Sequence, residues 1–203
     1  MTRTPGAVDD RLDDAAVLAR SVGAPDHFAA IYERYFAEVY RYVAGRLGRD
    51  VADDLAAETF LVAFRKRDRF DPARGNVRPW LYGIATTLVG QHRREETRRY
   101  QALARAGRRV LASAESHADR VADAVTAERL GRQLAAALAD LGHGDRDVLL
   151  LVAIGQLSHQ EVALALGIPY GTVGSRLNRA RRELRKALGG IDPTLDLEGG
   201  SNG

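Results

Sequence analysis

Apolar residues in the first half of the chain follow the spacing of amphipathic helices. Between Phe28 and Leu47 they recur every three or four positions, with Arg and Glu between them, which predicts one helix. A second helix is predicted from about Val51 to Arg69 with Asp50 as its N-cap, and a third from Pro79 to about Arg94. A short helix from Asp10 to Val22 is expected before them. These elements predict a small helical domain.

The second half of the chain also has a helical pattern, but its apolar residues are aliphatic. Eleven of the thirteen aromatic residues lie between Phe28 and Tyr82, and the rest of the chain adds only Tyr100 and Tyr170. This segregation predicts two cores, and the fold class is all-α, with two small helical domains joined by a linker. The predicted boundaries are an N-terminal segment with a short helix (1–25), the first domain (26–96), the linker (97–126), the second domain (127–188) and a disordered tail (189–203). The weak apolar pattern from Glu95 to Thr126 predicts a linker but is also compatible with partial helix.

Within the second domain, the sequence predicts a helix-turn-helix. Ser158 and Glu161 form the S-x-x-E capping box of one helix, and Gly167 permits the left-handed turn that ends it. A basic helix follows, whose first residues would enter a major groove while later arginines touch phosphates. An ordinary helical hairpin with a solvated basic face is the alternative, but the cap, the glycine and the arginine density together favour DNA binding. The candidate DNA-binding residues are Tyr170, Thr172, Ser175, Arg176, Arg179 and Arg182.

Charge is distributed unevenly along the chain, although the formal net charge is only +3. Residues 91–109 contain seven Arg and two Glu, and residues 172–187 contain five Arg, one Lys and one Glu, so each stretch has a net charge of +5. Residues 49–58 contain one Arg and four acidic residues, a net charge of −3. This distribution indicates two surfaces for polyanions and one for a protein.

The absence of Cys excludes disulfides, a thiol nucleophile and Cys-ligated zinc.

The acidic stretch lies on the second predicted helix and gives a candidate docking surface. Asp54, Glu58, Leu61 and Arg65 share one stripe, and a mixed stripe with an apolar centre can bind a partner helix. On spacing alone, a solvated face with charge partners is favoured.

The third predicted helix and the loop before it combine aromatic, amide and arginine side chains. Such a set can hold unstacked bases and their backbone. Trp80 is itself expected in the core, whereas the exposed polar positions keep the functional interpretation. The candidate residues here are Arg74, Asn76, Arg78, Trp80, Thr87, Gln91, Arg93 and Arg94.

Both halves of the chain resemble a known family. The run from Asp53 to Phe64, followed by Trp80 to Ala85, resembles conserved region 2 of bacterial RNA polymerase sigma factors. The runs from Leu157 to Ala163 and from Gly167 to Val173 resemble their region 4. A short chain with only these two regions is similar to the extracytoplasmic-function (ECF) class.

The resemblance implies a promoter-recognition function for each region. Region 2 would dock on a coiled coil of the largest polymerase subunit, and its third helix would recognise and open the minus-ten element. Region 4 would read the minus-thirty-five element and touch the polymerase flap. An anti-sigma factor is implied as a further partner. The residues carried over for core polymerase binding are Asp53, Asp54, Glu58, Leu61 and Arg65.

Four positions depart from the pattern of the family. Ala57 stands where Gln is usual, Thr87 where Asn is frequent, Gln91 where Asp is frequent, and Gly174 where a Lys or similar polar residue is common. The first affects core binding, the second and third affect minus-ten preference, and the last affects a phosphate contact.

Two other classes of function compete with this interpretation. A dimeric, ligand-responsive repressor would also carry a helix-turn-helix, but no dimerisation or effector domain is visible. An enzyme is disfavoured because the five His residues are scattered and no phosphate-binding or nucleophile motif is present. The sequence predicts no catalytic residue, no metal, no cofactor and no small-molecule substrate. Without a signal peptide or an apolar run long enough to span a membrane, the expected location is the cytoplasm.

Overall fold

The computed structural model of the chain describes residues 9–106 and 133–188. All regular elements in those two ranges are helices, which confirms the predicted all-α fold. The first range contains α1 (Asp9–Gly23), α2 (Phe28–Leu47), α3 (Ala52–Lys66) and α4 (Val77–Ala106), with 3₁₀ turns at Pro25–His27, Arg67–Arg69 and Pro72–Arg74. The second range contains α5 (133–140), α6 (His143–Ala153), α7 (His159–Leu166) and α8 (Tyr170–Ala187).

Two details of the predicted helices were wrong. The N-cap of α3 is Val51 rather than Asp50, and no side chain bonds the first turn there. The helix α4 continues to Ala106 instead of ending near Arg94, so it enters the segment predicted as linker. Residues 95–106 lack an apolar stripe, but they are mostly Glu, Arg, Gln and Ala, which favour helix without needing to pack. The remaining linker residues and the predicted tail lie outside the described residues.

Side chains from both halves of the chain meet in one continuous buried cluster. The first half contributes buried aromatics such as Tyr42, Phe60 and Tyr82, and the second contributes aliphatics such as Leu151 and Leu177, but they form one cluster, so the prediction of two separate cores was wrong. The two domains therefore pack against each other, with α4 lying against α7. The predicted boundaries of the two domains remain predictions.

The helix α7 begins with the predicted capping box. The hydroxyl of Ser158 accepts the backbone N–H of Glu161 at 3.2 Å, and the Glu161 carboxylate accepts the backbone N–H of Ser158 at 2.9 Å. Gly167 ends this helix in the left-handed conformation, with φ of 62°. Both termini of α7 are thus fixed by local chemistry.

Replacing Ser158 by Ala should lower the stability of the chain. The substitution removes the acceptor for an N-terminal amide of α7, a loss of about 0.5–2 kcal/mol in the free energy of unfolding. Chemical denaturation followed by circular dichroism measures this, with Ser158→Thr as the variant that keeps a capping hydroxyl. Equal stability of the Ala and Thr variants would contradict the role of the cap.

Candidate nucleic-acid interface

The predicted docking stripe on α3 faces solvent. Asp54, Glu58 and Arg65 are exposed, and Leu61 is 47% exposed despite its apolar side chain. The opposite face of α3 is buried, with Phe60 in the core. Asp53 and Ala57 are exposed as well. An acidic stripe with one exposed leucine at its centre is a surface that fits a partner carrying basic and apolar groups.

A second stripe runs along α4, at the positions predicted to contact the minus-ten element. Gly83, Thr87 and Gln91 are four residues apart and share one face of the helix. Thr87 and Gln91 are exposed, and the Thr87 hydroxyl donates to the Gly83 carbonyl at 2.9 Å. This stripe lines a cleft of about 540 Å³ whose far wall includes Leu164 and Ala165 of α7.

The loop before α4 carries the other predicted minus-ten residues. Asn76 is exposed, and Trp80 is half-buried with its ring centroid 5.2 Å from that of Phe70. The indole therefore packs on the edge of the core, as expected for Trp80. The side chain of Arg74 lies outside the described residues.

Arg78 was predicted to contact the minus-ten element, which requires an exposed side chain, but only 15% of its side chain is exposed. Its guanidinium donates to the Glu38 carboxylate at 2.8 Å and to the Gly155 carbonyl of the other domain at 2.7 Å. Burial by itself lowers the pKa of Arg78, but the hydrogen bond and the negative charge of Glu38 raise it on balance. In this arrangement Arg78 joins the two domains and does not face solvent as a ligand-binding group.

Several arginines meet beside the middle of α4. Arg93 is half-buried and donates to the Arg46 carbonyl at 2.6 Å, while Arg94 is exposed. Burial lowers the pKa of the Arg93 guanidinium, and the positive charges of Arg46 and Arg146 lower it further. Excess positive charge of this kind attracts phosphate groups.

The helix-turn-helix has the predicted inner packing. Val173, Leu177, Ala180 and Leu184 of α8 are all buried, and the Ile168 backbone N–H donates to the Ala163 carbonyl at 3.1 Å across the turn. These contacts fix α8 against α6 and α7. The outer face of α8 is thereby held away from the core.

The outer face of α8 presents most of the predicted DNA-binding residues to solvent. Ser175, Arg179 and Arg182 are exposed, and Tyr170 is 64% exposed. Thr172 is half-buried. The structure therefore brings together a tyrosine, small hydroxyl residues and arginines on one helix, which is the composition of a groove-reading surface.

Two arginines of α8 lie against the first turn of α6. Arg179 pairs with Asp145 at 3.4 Å. Arg176 is half-buried, and its guanidinium lies so close to Gly144 that a Cβ on that glycine would be 2.6 Å from Nη1. Both guanidinium groups therefore lie against α6 in this structure.

Sequence reasoning missed the residues that join the two domains. Arg46 is 3% exposed and donates to the Asp147 carboxylate at 2.6 Å and to the Tyr42 hydroxyl at 2.8 Å. The patterns along α2 and α6 gave no signal for this pair, because Arg46 and Asp147 each occupy an ordinary polar position of an amphipathic helix.

Within residues 9–106 and 133–188, no group of three or more His, Asp or Glu side chains could hold a metal ion. The same part of the chain contains no helix with both the length and the apolar character needed to cross a membrane.

Comparison with known proteins identifies both halves of the chain. Residues 31–99 match the Sigma-70 region 2 family, and residues 131–184 match Sigma-70 region 4. The ECF RNA polymerase sigma factor SigC of Mycobacterium tuberculosis is 33% identical over 181 residues, which cover 89% of this chain and 94% of SigC. This chain belongs to the ECF class of RNA polymerase sigma factors. The sigma factor SigW of Bacillus subtilis is also similar, with 34% identity over 82% of this chain and 91% of SigW.

Solved structures of similar proteins share this fold. CnrH in complex with the cytosolic domain of CnrY is 25% identical, with a TM-score of 0.60 over 87% of this chain and 97% of that one. The sigma factor RpoE of Bartonella quintana, in complex with the anti-sigma factor NepR, shares the fold with a TM-score of 0.55 and 22% identity over 80% of this chain and 96% of RpoE. As a sigma factor, the chain binds core RNA polymerase and directs it to promoters, so it is a transcription initiation factor rather than a ligand-responsive repressor.

Proposed function

We propose that this sigma factor binds core polymerase and promoter DNA through separate surfaces. The stripe on α3 docks on the coiled coil of the largest polymerase subunit, and region 4 touches the flap. The loop before α4 and the Thr87–Gln91 face of α4 recognise and open the minus-ten element. The helix α8 reads the minus-thirty-five element. The protein acts in the cytoplasm and performs no catalysis itself, since the polymerase supplies the chemistry.

One observation carries this assignment: a single chain combines an outward acidic stripe on α3 with a basic recognition helix on α8. The acidic stripe repels DNA and fits a basic protein surface, whereas α8 has a net positive charge and fits DNA. A DNA-binding protein that acts alone has no need for the first surface.

Run-off transcription with purified core polymerase tests the proposal. We expect specific transcripts from a library of genomic promoters only when core polymerase and this sigma factor are both present. The same reaction with the sigma factor but without core should show no specific promoter complex in a gel shift. Tight operator-like binding without core would refute the proposal.

Family resemblance supports one further partner, an anti-sigma factor that holds the protein inactive. The two similar solved chains are each in complex with another protein. Loss of promoter-specific transcription on adding such a partner, with recovery on adding excess sigma factor, is the expected behaviour.

Replacing Asn76 and Gln91 by Ala should reduce promoter opening while leaving core binding unchanged. Both side chains are exposed, so the fold is expected to survive. Two lost hydrogen bonds of about 0.5–1.5 kcal/mol each lower open-complex formation roughly 5- to 160-fold. Permanganate reactivity of promoter thymines measures opening, with Glu33→Ala on exposed α2 surface as the control variant. Normal thymine reactivity in the double variant would contradict the assignment.

A further inference from the structure

A cleft of about 650 Å³, bounded by α2, α4, α6 and α7, contains a concentration of positive charge that no partner described so far explains. Its charged lining consists of four arginines from the first domain, and Asp147 of α6 is the one carboxylate among the described residues that line it. The four arginines are Arg46, Arg93, Arg94 and Arg98. The cleft therefore has a formal excess of positive charge.

The carboxylate of Asp147 is already paired with Arg46. These two side chains are 2.6 Å apart, and the Arg46 side chain is 3% exposed. A second guanidinium nitrogen of Arg46 donates to the Tyr42 hydroxyl at 2.8 Å, while its Nε is buried and has no hydrogen-bond partner among the described residues. A buried donor without an acceptor is costly, so this side of the cleft has more donors than acceptors.

The charges of the neighbouring arginines are only partly compensated. Arg93 donates to the backbone carbonyl of Arg46 at 2.6 Å, a bond that neutralises no charge. Burial lowers the pKa of the Arg146 guanidinium, and the positive charge of Arg46 lowers it further, while two nearby carboxylates offset only part of this. Arg94 and Arg98 are exposed. An anion in the cleft would relieve this mutual repulsion.

The cleft has the dimensions of a site for a small ligand. Its volume falls within the range of about 300–1,000 Å³ that is usual for such sites. Gly90 lies on the same face of α4 as Arg94 and Arg98, and a Cβ placed on it would meet Arg94 Nη1 at 3.4 Å. The opposite wall includes His143, the first residue of α6. Duplex DNA is contacted by an outward helix face, as proposed for α8, whereas a volume with walls on two sides favours a compact ligand.

We propose that this cleft binds a free polyphosphate anion, such as pyrophosphate or the phosphate chain of a nucleotide. The guanidinium groups of Arg93, Arg94 and Arg98 supply forked donors that match phosphate oxygens. Arg94 and Arg98 are about 6 Å apart along the axis of α4, a spacing that favours linked phosphates over a single one. The positive end of the α6 dipole, at His143, contributes to the same field. The site requires neither polymerase nor promoter.

Calorimetric titration of the full chain alone with pyrophosphate, without Mg²⁺ and at constant ionic strength, tests the proposal. We expect Arg94→Gln with Arg98→Gln to bind pyrophosphate at least tenfold more weakly than the parent, because charge-assisted hydrogen bonds are lost. The matched control is Arg185→Gln with Lys186→Gln on the basic helix α8. All four side chains are exposed, and both double variants lower the net charge by two. The control should bind as the parent does.

Two single substitutions separate charge from space. Asp147→Asn removes the one negative charge of the described lining and should tighten pyrophosphate binding at least threefold. Gly90→Leu leaves the charge unchanged and places a bulky side chain beside Arg94, so binding should weaken at least fivefold. Thermal unfolding followed by circular dichroism establishes that each variant is folded. The exposed arginine pair decides the test if Gly90→Leu does not fold.

Several outcomes would overturn the inference. Equal weakening in the two double variants would show general attraction to a basic protein. Inorganic phosphate that binds as tightly as pyrophosphate would contradict a site for linked phosphates. A single-stranded oligonucleotide without terminal phosphates that binds more tightly than pyrophosphate, and loses affinity in the Arg94 and Arg98 variant, would assign the cleft to the DNA backbone instead.

The source of the polyphosphate is distinguished by comparing inorganic tripolyphosphate with nucleoside triphosphates. Tighter binding of a nucleoside triphosphate would support the proposal with a nucleotide as the ligand. Equal or weaker binding would support it with the phosphate chain alone as the recognised group. Failure of pyrophosphate, tripolyphosphate and nucleoside triphosphates alike to bind the parent chain would refute it.

Discussion

Reversing the charge at Asp54 and Glu58 should abolish binding to core RNA polymerase at concentrations where the native sigma factor is saturated. Both carboxylates are exposed on α3, about two turns and one turn before exposed Leu61. Placing arginines against a basic partner surface costs several kcal/mol, so the double variant Asp54→Arg, Glu58→Arg should bind at least 100-fold more weakly. Fluorescence titration of labelled sigma factor with core polymerase measures this.

The matched control makes the same change in charge elsewhere. Asp26 and Glu33 are exposed and lie outside α3, so Asp26→Arg with Glu33→Arg also raises the net charge by four. Surface substitutions of this kind change stability by about 0.5 kcal/mol or less, and both double variants should unfold near the midpoint of the parent. Equal core affinity of the two double variants would show that the stripe on α3 is not part of the docking surface.

Local chemistry explains which parts of the fold could be predicted from the sequence. The capping box of Ser158 and Glu161 and the left-handed Gly167 are decided within ten residues of chain, and the structure has both. The inner face of α8 follows from helical spacing alone. Elements whose ends are set by their own residues are therefore predictable without knowledge of the tertiary structure.

The end of α4 shows where this reasoning fails. The apolar stripe ends near Arg94, but the helix continues to Ala106 because the following residues favour helix intrinsically. Apolar periodicity predicts the part of a helix that packs against a core. It does not predict the part that extends from it.

Contacts between the domains could not be predicted for a different reason. Arg46 and Asp147 are 101 residues apart in the chain, and each occupies a polar position that also suits a solvated helix face. The same holds for Arg78, whose sequence position beside Asn76 predicted DNA contact, while the structure pairs it with Glu38 and Gly155. Polar contacts between two domains depend on how the domains pack. The spacing of residues along the sequence does not specify that packing.

The two ends of the recognition helix should respond differently to the loss of one arginine. Arg176 is near the N-terminal end of α8 and would reach a base edge once it leaves Gly144, whereas exposed Arg182 is two turns further along and suits a phosphate. Arg176→Ala should cost about 1–3 kcal/mol at the cognate base and relax the preference there. Arg182→Ala should weaken all sequences alike and reduce the salt slope by about one.

Transcription by reconstituted holoenzyme on promoters randomised across the minus-thirty-five element separates the two effects, because it gives base preference and overall strength in one experiment. Repeating it at two salt concentrations gives the slope. Arg182 also lies 3.3 Å from the Glu183 carboxylate, so Glu183→Gln serves as the control for loss of that pair alone. If Arg176→Ala weakens every promoter equally while Arg182→Ala changes base preference, α8 enters the groove by its other end. The helix-turn-helix would then be docked in the reverse orientation, with α7 on the opposite side of the element.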